Sequence, residues 1–146
     1  MTIKEKAIKE CLEARLKAIC RKTYVGAALY SDSEIFTGYN IENRCQKGYH
    51  AEEMAVLNAT LKEINPKSLK GIIVSFSDND ISRLTFMCGH CRQVVWEYTL
   101  NPELLVTEVD LQGNIIKEVS LGELYPYPYP RAEQASVSGK PDELKK

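Results

Sequence analysis

His50-Ala51-Glu52 and Cys88-Gly89-His90-Cys91 are the two short segments on which the reading of this chain turns. Neither is informative alone. Together they supply one nitrogen ligand, one spare carboxylate and a Cys-x-x-Cys pair, separated by a strand-like stretch. Three protein ligands of this kind, with the fourth position left for water, are the set that a catalytic zinc takes. Both segments sit where a helical pattern begins. Helix N-termini present unpaired N–H groups and a partial positive charge, which favours thiolate at Cys88. Cys91, one turn on, can point to the same ion. Two thiolates and a neutral imidazole balance the charge of Zn²⁺.

Glu52 lies two residues after His50, and positions i and i+2 of a helix do not share a face. Glu52 is therefore expected beside the metal rather than on it, facing a substrate. There it can take a proton from zinc-bound water and deliver it to a ring nitrogen. Blander readings stand beside this one. The Cys-x-x-Cys pair alone fits a redox pair, which leaves His50 and Glu52 unexplained. A structural zinc site needs a fourth ligand, for which Cys45 and His90 are available. Otherwise His90, inside the pair, is read as a bystander.

The composition is that of an ordinary water-soluble domain. The 146 residues suit one domain with one core, and 44% hydrophobic with 27% charged residues is a usual balance. A formal net charge of −1 gives no overall basic bias toward nucleic acid. There is no long apolar run, and residues 2–10 are charged throughout, so neither a membrane partner nor a signal peptide is expected and the chain is placed in the cytosol. Five cysteines, an odd number, favour metal ligands and free thiols over a disulfide framework.

The rest of the chain reads as alternating elements. Residues 3–21 carry an apolar stripe at helical spacing, on which Cys11 and Cys20 are packing residues. Residues 25–30 and 34–39 read as a hairpin around Ser31-Asp32-Ser33. Residues 40–48 are a loop, 50–64 a helix stopped by Asn65-Pro66, and 69–76 an interior strand. A polar loop follows at 77–82, then a helix at 88–98. Strands at 104–109 and 115–119 flank the turn Gln112-Gly113-Asn114, and 121–124 is a helical turn. The run Tyr125-Pro126-Tyr127-Pro128-Tyr129-Pro130 is excluded from regular helix and central strand. The expectation is a layered α/β domain over residues 1–130, built on a five-stranded mixed sheet, with residues 131–146 a polar, frayed tail.

Five segments now carry a resemblance to the small zinc-dependent cytidine deaminases. They are Val25-Gly26-Ala27-Ala28-Leu29, Phe36-Thr37-Gly38-Tyr39-Asn40-Ile41-Glu42-Asn43, His50-Ala51-Glu52, Cys88-Gly89-His90-Cys91-Arg92-Gln93 and Leu121-Gly122-Glu123-Leu124-Tyr125-Pro126. The zinc deaminase signature is H-x-E…P-C-x-x-C, and this chain matches it except that Met87 stands at the proline. The resemblance implies a three-layer fold with helices on both faces of the sheet. It implies one zinc per chain on His50, Cys88 and Cys91, with Glu52 catalytic. It assigns Asn40 and Glu42 to the ribose 3′-hydroxyl, Tyr24 to packing near the nucleoside, and the backbone of Ala51 to the pyrimidine. It implies a homotetramer, a place in pyrimidine salvage and a small-molecule substrate. Many small members use three cysteines with an arginine just after the catalytic glutamate; here His50 and Glu53 occupy those positions. With a neutral imidazole there is less charge to offset. The segment 44–49 is also more charged than its counterpart.

The leading expectation is hydrolytic deamination of free cytidine and deoxycytidine to uridine and deoxyuridine, with release of ammonia. The alternative is a deaminase of a modified cytosine nucleoside or a blasticidin-S-like compound, against which the retained Asn40 and Glu42 argue. An editor of cytosine in RNA or DNA is disfavoured by the balanced charge and the lack of a basic, aromatic-rich extension. A non-catalytic zinc or nucleoside-binding module is the fourth reading; Glu52→Gln separates it from an enzyme.

Overall fold

The structure is a computed structural model that describes residues 1–45, 47–76 and 86–129. The polar loop expected at 77–82, Pro130 and the tail expected at 131–146 lie outside the described residues.

Helix α1 (Ile3–Arg15) opens on Thr2, whose hydroxyl accepts the Glu5 N–H at 3.2 Å while the Glu5 carboxylate accepts the Thr2 N–H at 2.6 Å. It ends six residues short of the periodicity's limit. The Lys17 and Ala18 N–H groups turn back onto the Ala14 and Arg15 carbonyls, and the chain then leaves the axis. Ile19 forms a parallel bridge with Ile41, donating to the Asn40 carbonyl at 3.0 Å and accepting from Glu42 at 2.7 Å. Leu16 and Ile19, which a continued helix would bury, are exposed. Backbone pairing outweighs the apolar stripe here.

Strands β1 (Gly26–Tyr30) and β2 (Ile35–Tyr39) form the expected hairpin, closed by Ser31, whose hydroxyl accepts the Glu34 N–H at 3.0 Å. The expected loop at 40–48 contains a two-residue ribbon, β3 (Ile41–Glu42) against β4 (Gly48–Tyr49). Helix α2 (Ala51–Leu61) stops before residue 64 because Glu63 adopts a left-handed backbone with φ 54°. A 3₁₀ turn (Pro66–Ser68), capped by Asn65, leads into β5 (Gly71–Ser75), buried along its whole length. Helix α3 (Gly89–Thr99), β6 (Leu105–Val109), β7 (Ile115–Ser120) and the single turn α4 (Leu121–Leu124) complete the described chain.

The main sheet runs β2-β1-β5-β6-β7. Among the described strands of this sheet the β5–β6 pair is the parallel one, and α3 lies in the crossover between those two strands. Alternation along the strands divides the interior. Ala27, Leu29, Ile72, Val74 and Val106 pack with α2 and α3, whereas Ala28, Tyr30, Ile73 and Val109 pack with Ala7 and Cys11 of α1. The result is the expected three-layer α/β arrangement, with the site segments on the α2/α3 side.

Candidate active site

The start of α2 is held by direct backbone contact with the sheet. A Cβ on Gly38 of β2 would lie 2.1 Å from the Ala51 carbonyl oxygen and 2.5 Å from the Ala55 nitrogen. Only glycine lets the helix sit this low. His50 caps α2 and Cys88 caps α3, and the two helices pack side by side. Their N-terminal ends thus meet, although the motifs are far apart in sequence.

His50, Cys88 and Cys91 offer three ligand atoms that all lie within 4.8 Å of one another. The Cys88 Sγ is 3.3 Å from the His50 Nδ1. Zinc with Zn–S near 2.3 Å and Zn–N near 2.0 Å requires tetrahedral edges of about 3.5 Å between sulfur and nitrogen and about 3.8 Å between sulfurs, so this separation is close to what one ion needs. Cys91 is fully buried, and burial first, then the charges of Glu52 and Cys88, push its thiol well above the usual range. A divalent cation between these atoms reverses that balance and favours both thiolates. The donor set fits one zinc per chain. Neither alternative fourth ligand joins the group among the described residues: Cys45 is exposed elsewhere, and the His90 ring is turned to Glu53. All five cysteines are described and none is paired.

Glu52 is 3% exposed and lies outside that ligand group. Its Oε2 accepts the Cys91 thiol at 3.5 Å. Burial raises the carboxyl above its ordinary range, partly countered by its own backbone N–H, the Cys91 hydrogen bond and His50. A buried carboxyl beside the ligands, close enough to share a proton with them and not spent on coordination, is the placement an acid–base group requires.

A cavity of about 270 Å³ opens over the cluster. His50, Ala51, Glu52 and Cys88 line one part of it, and Asn40 and Glu42 are also lining residues. Asn40 is fixed by the chain it faces: Oδ1 accepts the Val25 N–H at 2.9 Å and Nδ2 donates to the Thr23 carbonyl at 2.7 Å. The Glu42 Oε2 accepts the Arg21 N–H at 3.2 Å. Tyr24 is not a lining residue; its neighbours Thr23 and Val25 are, and its own side chain is exposed. Tyr49 and Phe76 also line the cavity and were not singled out from sequence. The available signals were slight: Tyr49 precedes His50, and Phe76 ends the apolar run of β5.

Met87, in place of the signature proline, is fully buried after Phe86, whose φ of 49° is left-handed. The Met87 carbonyl accepts the Arg92 Nε–H at 2.8 Å, and the Arg92 Nη1 donates to the Leu124 carbonyl at 3.0 Å. Arg92 thus ties the approach to Cys88 to α4.

Comparison with known proteins agrees with this geometry. Residues 1–106 match the family model described as the cytidine and deoxycytidylate deaminase zinc-binding region. The cytidine deaminase of Burkholderia pseudomallei is 30% identical with a TM-score of 0.75, covering 88% of this chain and all of that one. The cytidine deaminase of Mycobacterium tuberculosis superposes with a TM-score of 0.69 at 22% identity, over 88% of this chain and 98% of that one. The Bacillus anthracis cytidine deaminase gives 0.67 at 18% identity, over 93% and 96%. The last two speak for the fold alone.

Proposed function

The chain belongs to the cytidine and deoxycytidylate deaminase zinc-binding family, and on that premise we propose that it hydrolyses the exocyclic amine of free cytidine and deoxycytidine, giving the uracil nucleoside and ammonia. The observation that carries this reading is the buried Glu52 carboxyl beside the His50/Cys88/Cys91 cluster, in a cavity also lined by Asn40 and Glu42.

His50, Cys88 and Cys91 would hold a zinc ion, whose Lewis acidity would make a water nucleophilic at neutral pH. Glu52 would take the first proton of the attacking water and place it on the ring nitrogen, where it stays in the uracil product, and would carry the second, released as the new C4 hydroxyl becomes the carbonyl, to the amine as the C–N bond breaks and ammonia leaves. Its burial keeps bulk water from competing for those protons. The Ala51 backbone orients the pyrimidine at the helix start. Asn40 and Glu42 receive the sugar hydroxyl: Glu42 accepts its O–H, and the Asn40 Nδ2, with one N–H given to the Thr23 carbonyl, donates its other N–H to the hydroxyl oxygen. Tyr24, between two lining residues, is assigned the outer contact with the nucleoside. Both Asn40 and Glu42 on one cavity favour a nucleoside over a blasticidin-S-like compound.

We place the working enzyme in the cytosol, acting in pyrimidine salvage as a homotetramer. Supporting assembly, Leu57 and Leu61 of α2 are 47% and 73% exposed on one side of a helix that is otherwise well packed. No helix of the described residues is long and apolar enough to cross a membrane.

The test is the absorbance change on conversion of cytidine to uridine, with zinc-replete wild type and Glu52→Gln. Turnover by the wild type and a loss of about 10²–10⁴-fold or more in kcat for the variant, with zinc retained, is the expected outcome. Zinc-loaded wild type that releases no ammonia from any cytosine nucleoside would refute it.

A further inference from the structure

Glu53 has no part in the chemistry above, yet both of its carboxylate oxygens are engaged at the metal cluster. Oε1 accepts the backbone N–H of His50 at 3.0 Å. Oε2 hydrogen-bonds the Nε2 of His90. His50 is a ligand at the start of α2, and His90 lies in the first turn of α3 between the two other ligands. One carboxylate therefore spans the two helix starts whose separation sets the ligand geometry. The His90 bond needs only a proton on Nε2, which both the Nε2–H tautomer and the imidazolium provide.

A plain helix cap accounts for only half of this. The bond from Oε1 to the His50 N–H satisfies an orphan donor of α2, as a residue at that position commonly does. The bond from Oε2 leaves the helix and reaches a different segment of the fold. It also orients the His90 ring, whose centroid lies 5.5 Å from that of His50 in an edge-on arrangement at 64°. Glu53 is mostly shielded, with a side chain 20% exposed, whereas that of His90 is 58% exposed. His90 is held at the surface by this contact rather than by burial.

We propose that Glu53 and His90 form a clamp that fixes the reach from His50 to Cys88 and Cys91, making Glu53 a positioning residue for the metal. The clamp rests on the zinc site and does not depend on which nucleoside is the substrate. Contacts that orient metal ligands typically alter metal affinity by about 10–100-fold when removed.

Two readouts on the full chain test this: the rate of Zn²⁺ transfer to a chromogenic chelator, and the visible ligand-field bands of the Co²⁺-substituted protein. His90→Ala removes the far end of the clamp and leaves the cap on His50 in place. It is expected to release zinc about 10–100-fold faster and to shift the Co²⁺ bands, with an unchanged circular dichroism spectrum. Glu53→Ala is expected to act at least as strongly, and its combination with His90→Ala to be non-additive. Glu53→Gln, which can still accept from His50 and donate to the other His90 tautomer, should recover most of the wild-type behaviour. If His90→Ala matches the wild type in both readouts, Glu53 is only a cap and the proposal is overturned. A wild type that takes up no Co²⁺ would remove the metal site itself, a failure distinct from any difference among variants.

Discussion

The Cβ position of Gly38 lies 2.1 Å from the carbonyl oxygen of Ala51, so the sheet and the helix that begins the active site touch backbone to backbone. The atoms facing Gly38 belong to the main chain and have no rotamer to yield. Gly38→Ala is therefore expected to force α2 off β2, at about 1–3 kcal/mol or more. Because His50 and Glu52 ride on that end of α2, thermal melting and zinc stoichiometry should fall together. A variant that melts as the wild type does would show that α2 moves freely on the sheet.

Asn40 both lines the cavity and clasps the chain at Thr23 and Val25. Asn40→Ala should raise KM for cytidine and also cost about 1–3 kcal/mol of stability from two lost hydrogen bonds. Asn40→Asp keeps the acceptor for Val25 but sets a carboxylate oxygen against the Thr23 carbonyl, so at neutral pH it should also melt lower than the wild type. Steady-state kinetics beside thermal denaturation separates the two roles.

Chelation of the metal should lower the melting temperature as well as abolish turnover, since the ion binds only the assembled site. At a free zinc concentration about 100 times Kd the linkage is worth about 2.7 kcal/mol, or roughly 5–10 °C for a chain of this length. About one equivalent of Zn²⁺ per chain should restore both. Recovery of stability that requires a second equivalent would contradict a single site.

Glu108 on β6 is 6% exposed, and burial raises its carboxyl above the ordinary range despite the Phe86 N–H at 3.3 Å and Lys117 on the neighbouring strand. Its folded form holds a proton more tightly than the unfolded chain does. Its contribution to stability is thus complete below the unfolded value of about 4.3 and is lost as pH rises through the higher folded value. Glu108→Gln, which still offers an acceptor to Phe86, should be more stable than wild type at neutral pH and indistinguishable from it near pH 4 by thermal melting. An equal difference at all pH values would remove titration as the cause.

The parts of this molecule that were legible in sequence are those set by donor chemistry or by strong periodicity. His50, Glu52, Cys88 and Cys91 declared themselves because few other arrangements use that set of side chains. The hairpin and β5 followed from β-rich runs bounded by turns. The end of α1 was not legible, because Ile19 satisfies helical spacing equally well and is withdrawn only by its bridge to Ile41. The β3–β4 ribbon is two residues deep and leaves no periodic trace. Tyr49 and Phe76 reach the cavity through tertiary packing, which local pattern does not encode. His90, read as a bystander, has its partner thirty-seven positions away in Glu53.

The meeting of His50 with Cys88, thirty-eight positions apart, also orders events in time. A ribosome adding roughly 5–20 residues per second needs about 2–8 seconds to pass from the first ligand to the second. During that interval a nascent chain carries the imidazole of His50 without either thiol of the Cys88–Cys91 pair. Strand β5, which pairs with β1 in the finished fold, is synthesised within it and precedes α3 in the chain. The complete ligand set therefore exists only once residue 91 has been made, and a chain stalled or cut before it lacks at least one of the three ligands.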